Sequence, residues 1–155
     1  MKKLTTVHSK GENYSADVIK DDDGSIFFVG DFDVDWDGSP NWHKDPTGQP
    51  ETALTHNGKP IDSERVAGIV LPKEARKLGK ILGCKATASY KGKTIPCVVF
   101  DIGPSRKLGE GSVKLAQLLG INTHPVKGGT SRQEITYRFW PGIAAVLDGV
   151  TYKLR

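Results

Sequence analysis

Val98-Val99-Phe100-Asp101-Ile102-Gly103-Pro104 reads as a hydrophobic strand that delivers a carboxylate at its end and then breaks in a tight turn. Nine residues beyond Asp101, Glu110 stands just ahead of Ser112, a helix cap. Val113, Leu115, Ala116, Leu118 and Leu119 give the following helix a broad apolar face, and Gly120 falls where a left-handed cap is wanted. A strand end and a helix start that fold together bring Asp101 and Glu110 to one cleft. Two such carboxyls are what acid/base cleavage of a glycosidic bond needs. The same residues also have simpler roles: Asp101 bracing its loop through backbone N–H groups, and Glu110 favouring the helix dipole.

Outward from this segment, strand signals dominate. Tyr14–Lys20 and Ser25–Val29 flank Asp21-Asp22-Asp23-Gly24, a hairpin turn. Residues 66–71 form an apolar run stopped by Pro72. Ile81–Tyr90 and Lys93–Ile102 flank a Lys91-Gly92-Lys93 turn, Ile135–Trp140 reads as a further strand, and Asp148-Gly149 joins Ile143–Leu147 to Val150–Leu154. A second short helix is expected at Lys73–Leu78. Many short strands with one or two short helices predict a mostly β chain folded as a closed or nearly closed barrel. With 155 residues and no long linker, residues 1–155 read as one domain, with 1–12 as a flexible N-terminus.

Charge is distributed unevenly. The net charge is +4, yet seven of the twelve aspartates lie between residues 21 and 37, where no lysine or arginine occurs. A concentrated basic face, the mark of a nucleic-acid binder, is missing. No apolar run is long enough to span a bilayer, and Met1–Lys10 lacks the apolar stretch of a secretory signal. In Gly30–Gly38 aspartates alternate with apolar residues. A strand would put Asp31, Asp33, Asp35 and Asp37 on one face, and Phe32, Val34 and Trp36 on the other. Four like charges on one face call for an offsetting cation, basic neighbour or cationic ligand. An EF-hand loop is excluded, because with Asp33 first its twelfth position is Lys44. His43 and His56 show no metal-ligand spacing, and no metal or cofactor is expected. Cys84 and Cys97 flank the hairpin and fit either a disulfide or two buried thiols.

Several of these segments, taken in order, resemble the chitosanases of glycoside hydrolase family 75. Gly30–Gly38 is similar to their Gly-Asp-x-Asp-x-Asp-x-Asp-Gly signature, Gln49–Ala53 to their Gln-x-x-Thr-Ala step, and Ile69–Pro72 to a strand before proline. Val99–Asp101 resembles the strand with their catalytic aspartate, Leu108–Ala116 their Gly-Glu-x-Ser-x-x-Leu-Ala segment, and Ile135–Phe139 their last strand. The Asp101–Pro104 turn and the helix ending in Leu-Leu-Gly are also similar to double-psi β-barrel domains, including lytic transglycosylases and rare-lipoprotein-A-like proteins. The resemblance implies a six-stranded double-psi-type barrel, acting as a monomeric, secreted, endo-acting and inverting hydrolase of chitosan. It implies Asp101 and Glu110 as the essential pair. The double-psi relatives imply Glu110 as acid, with Asp101 as base or as the group that orients water, and one of Asp31, Asp33, Asp35 or Asp37 as a substitute base. Substrate would be bound by Asp31, Asp33, Asp35, Asp37, Trp36 and Thr52. Trp42, Trp140 and Tyr137 are further candidates for stacking on sugars. The loop after Asp101 departs from the family: it is short and carries Arg106 and Lys107 beside the cleft. The alternatives are a lytic transglycosylase-like enzyme acting on peptidoglycan and a carbohydrate-binding barrel without turnover.

Overall fold

The computed structural model describes residues 1–155. Twelve strands and one α-helix occur in chain order: β1 Lys2–His8, β2 Ser15–Lys20, β3 Ile26–Asp35, β4 Thr55–His56, β5 Lys59–Pro60, β6 Gly68–Pro72, β7 Cys84–Tyr90, β8 Lys93–Gly103, β9 Glu110–Ser112, α1 Val113–Leu119, β10 Thr130–Ala144, β11 Val146–Leu147 and β12 Val150–Thr151. Lys73–Leu78 is a helix of the tighter 3-10 type. No helix is long and apolar enough to cross a membrane.

The chain is mostly β and closes a six-stranded barrel. Around it the strands run β3, β10, β7, β8, β6 and β9, and β9 pairs back onto β3. The β6–β8 and β3–β9 pairs are parallel, the other four antiparallel. Closure removes the unpaired edges that an open sheet of this length would expose. Residues 1–12 depart from the flexible terminus expected of them. Lys2–His8 pair along β2 and extend the sheet beyond the barrel wall, with Leu4 and Val7 packed against the core.

The apolar runs of β6 and β8 are buried on both faces, which explains why they do not alternate. Ile69, Leu71 and Val99 point into the main core with Phe28, Phe32, Leu115 and Tyr137. Val70, Val98 and Phe100 pack outward under a cover of Leu54, Ile61, Ala145 and Tyr152. Cys84 and Cys97 are both buried free thiols, so the disulfide alternative is not the one adopted. Local turn chemistry is as the sequence dictates. Lys91 and Gly92 both take positive φ between β7 and β8, as a two-residue type I′ hairpin requires. Ser112 caps α1 by accepting the Leu115 N–H at 3.2 Å, and Gly120 ends it in the left-handed conformation.

Candidate active site

Asp101 is turned toward a cleft by an irregularity in a parallel ladder. Ile69 pairs with Val99, but Val70 pairs with Asp101, so Phe100 is an extra residue on β8. A bulge of this kind bends the strand and re-aims the side chains beyond it. The Asp101 side chain then accepts two backbone N–H bonds at one oxygen, from Ala53 at 2.9 Å and Ile102 at 3.0 Å. The bracing role and a place in a cleft are therefore combined in one residue.

Glu110 opens β9, a short strand between the turn and α1 rather than the helix's first turn. It is flanked by Val70 on one side and Asp33 on the other. These strands border a cleft of about 540 Å³. Asp33, Asp35, Asp37, Asp45, Asp101 and Glu110 line it, with Lys107 the sole lysine or arginine. His124, Pro125, Val126 and Gly128 also line it, in a turn where His124 Nδ1 accepts the N–H groups of Val126 and Lys127.

Crowding and burial set the proton affinities. Burial pushes Glu110 up to about 7, opposed by the charge of Lys107 and reinforced by Asp33, Asp37 and Asp101. Asp37 is pushed up to about 6 by burial and by Asp101, although its carboxylate accepts the Gln49 N–H at 2.8 Å. Asp35 is raised well above the carboxylate range by burial and by Asp37, and it accepts the Asp37 N–H at 2.7 Å. Burial raises Asp101 too, opposed by the N–H groups of Ala53 and Ile102. These groups titrate as a set rather than singly.

Two carboxylate triads have the spacing to share a cation, with oxygens within 4.8 Å of one another: Glu12, Asp31 and Asp33, and Asp35, Asp37 and Asp101. In the first the Lys107 ammonium supplies the positive charge, paired with Glu12 at 3.2 Å and with Asp33. In the second, raised proton affinity relieves the same repulsion.

Five of the expected site residues thus meet in the cleft: Asp33, Asp35, Asp37, Asp101 and Glu110. Three do not. Asp31 is buried beneath it, accepting the Tyr14 hydroxyl at 2.7 Å, while its carbonyl accepts the Tyr137 hydroxyl. Burial pushes its carboxyl up to about 7. The strict alternation expected of Gly30–Gly38 fails because both faces of β3 are covered near Asp31. Trp36 is buried, its indole N–H bonded to the Thr123 carbonyl at 3.2 Å, next to the cleft-lining 124–128 turn. Thr52 is an internal tie: its hydroxyl donates to the Leu54 carbonyl at 2.6 Å and accepts the Ile61 N–H at 2.9 Å. The other aromatic candidates also lie elsewhere. Tyr137 stacks on Phe28 in the barrel, and Trp140 bonds Asp23 on the outer face. Trp42 lies in a short 3-10 turn, edge-on to His43, and does not line the cleft. Of the two basic residues expected beside the cleft, Lys107 lines it and Arg106 does not. His124 also lines it, and no motif in the sequence points to it.

No family model matches this chain, and no curated protein matches it. The chemistry open to the cleft comes from its own groups: a carboxylic acid that keeps its proton near neutrality, facing carboxylates in a part-enclosed acidic groove.

Proposed function

We propose that the chain is an endo-acting glycoside hydrolase that cleaves chitosan, a β-1,4-linked glucosamine polymer, by inverting acid/base catalysis. The observation that carries this reading is the contrast between Glu110 and Asp101 in one cleft. Glu110 has no hydrogen-bond donor to favour its charged form and holds a proton up to about pH 7. Burial raises Asp101 as well, but two backbone N–H donors at one oxygen oppose that rise. The presence of such donors on Asp101 and their lack on Glu110 is the basis for reading Glu110 as acid and Asp101 as base.

In the proposed step Glu110 gives its proton to the glycosidic oxygen as the bond to the anomeric carbon breaks. Asp101 takes a proton from a water that attacks that carbon from the opposite face. The products are two chain ends, a carboxylate at Glu110 and a carboxylic acid at Asp101; exchange with solvent restores both. An acidic groove also attracts the ammonium groups of polyglucosamine. Lys107 would suit the carboxylates of peptidoglycan, but its ammonium is already paired with Glu12 and Asp33. That pairing favours the cationic polymer over the anionic one.

The test is product analysis in water labelled with heavy oxygen, using chitosan of graded acetylation and peptidoglycan. The expected result is one labelled reducing end per bond cut, from chitosan only. Anhydro-sugar ends from peptidoglycan would identify a lytic transglycosylase instead. Affinity for polymer with no cleavage would identify a binding barrel.

A further inference from the structure

We infer that Lys107 is a positioning residue for Glu110: its ammonium, locked between Glu12 and Asp33, is the fixed cation that offsets the carboxylates crowded around Glu110. The inference rests on the proposed function only in calling Glu110 the acid; the charge relationship stands without it.

The loop that carries Lys107 is fastened at successive residues. Ser105 donates its hydroxyl to Glu74, and the Arg106 N–H donates to the same carboxylate at 2.9 Å. The Arg106 carbonyl accepts the Lys10 N–H at 2.9 Å, and the Lys107 N–H donates to the Pro104 carbonyl at 3.2 Å. The Leu108 N–H then donates to the Ser9 hydroxyl at 3.1 Å. A lysine on a free loop would extend into water, because ordering its long side chain costs rotamer freedom. Here the side chain is only 15% exposed, and two carboxylates hold its tip. Burial by itself would lower its proton affinity, but the bonds and charges of Asp33 and Glu12 raise it, so it stays cationic across the neutral range.

Glu110 is faced by negative groups from nearly every neighbour: Asp33 and Asp35 from β3, Asp37 from the turn after it, and Asp101 from β8. β6 contributes Val70 and no charge beside it. The Tyr137 hydroxyl, below, is held neutral by burial. Lys107 is the one cation in this set. A general acid works best when its proton affinity matches the working pH. Without that cation the neighbouring carboxylates would hold the proton more tightly and move it away from that match.

The test is a carbon-13 carboxyl NMR titration of Glu110 in the full chain, assigned by loss of its resonance in Glu110→Gln. Lys107→Met, Lys107→Gln and Lys107→Arg are compared with the unaltered protein. Lys107→Gln keeps a polar head for Glu12 and Asp33, so it tests the charge even where Lys107→Met fails to fold. The expected result is a rise in the Glu110 midpoint of about one pH unit in the neutral variants, the low end of the effect of a nearby opposite charge. Lys107→Arg should leave it near its original position. An unchanged midpoint in either folded neutral variant would overturn the inference. So would an equal rise in Lys107→Arg, which would trace the effect to packing. No substrate enters the measurement, so a chain that cleaves nothing still reports it, and failure of the proposed function is a separate result.

Discussion

Asp33 and Glu110 are register partners on two parallel, adjacent strands, so the aspartate-rich segment and the acid-bearing segment form one wall of one cleft. The Asp33 N–H donates to the Gly109 carbonyl at 2.7 Å, which ties the start of β9 to β3. Two motifs far apart in sequence become one electrostatic unit through this pairing. Neither can be altered without shifting the proton affinity of the other's groups.

Under the proposed function, the pH dependence of cleavage should be set by Glu110. An acid with a midpoint of about 7 is lost as pH rises through that value, so the rate should fall about tenfold per unit on the alkaline side. The acid limb belongs to Asp35, Asp37 and Asp101 as a coupled set, because the base must be ionised. A rate profile on soluble chitosan oligomers checks both limbs. An alkaline limb that persists in Glu110→Gln would assign it to another group.

Stability should respond to pH in the same direction. Asp31 and Glu110 are raised to about 7 and Asp37 to about 6 in the folded chain, above the ordinary carboxyl range of about 4. The folded state therefore binds more protons than the unfolded one between these values. The stability contributed is full below the ordinary range and lost as pH rises through 6 and 7. The melting temperature should be higher at pH 5 than at pH 8, by an amount worth roughly 1–4 kcal/mol after allowance for water at the cleft. Asp31→Asn should flatten that slope while leaving the Tyr14 hydroxyl an acceptor. A melting temperature that increases with pH would contradict the sign.

Gly109 makes the close turn that leads into β9. Its φ is 79°, and a Cβ there would overlap the Asp31 carboxylate and come within 3.0 Å of the Tyr14 hydroxyl. Gly109→Ala should cost about 2–4 kcal/mol, combining strained backbone with displaced buried polar groups. Chemical denaturation measures this directly, and loss of activity should exceed loss of folded protein.

The two cysteines give a prediction independent of function. Burial pushes the Cys84 thiol up to about 12 and raises Cys97 further. Thiolate is the reactive form, so neither should react with a disulfide reagent while the chain is folded. Both should react on unfolding, with no reductant needed beforehand.

Much of the fold is legible in the sequence because it is encoded locally. Lys91-Gly92 and Asp148-Gly149 announce their hairpins through positive φ, and Ser112 and Gly120 bracket α1 through capping chemistry. The Asn57-Gly58 turn between β4 and β5 carries the same signal, on strands too short to show a pattern of their own. Asp31 departs from its expected face because period-two alternation assumes one wet face, whereas Trp36 and Thr52 are expected as substrate-binding through the resemblance and not through that pattern. Near Asp31, Tyr14 and Gly109 from distant parts of the chain cover that face. β1 is hidden for a related reason: it pairs as an outer strand, so its residues are mostly exposed and carry no apolar pattern. The convergence of Asp33, Asp101 and Glu110 depends on barrel closure through the β3–β9 pair, which no local spacing specifies.

The central claim is that Glu110 is the proton donor for glycosidic cleavage, with Asp101 as its basic partner. It is tested most directly by initial rates of reducing-end release from low-acetylation chitosan by the unaltered chain, Glu110→Gln and Asp101→Asn. The account predicts measurable release by the unaltered chain. Both variants should fold as it does, and the rate should fall by about 10²–10⁴ in Glu110→Gln. Release by Glu110→Gln at the rate of the unaltered chain, or no release by the unaltered chain, would contradict it.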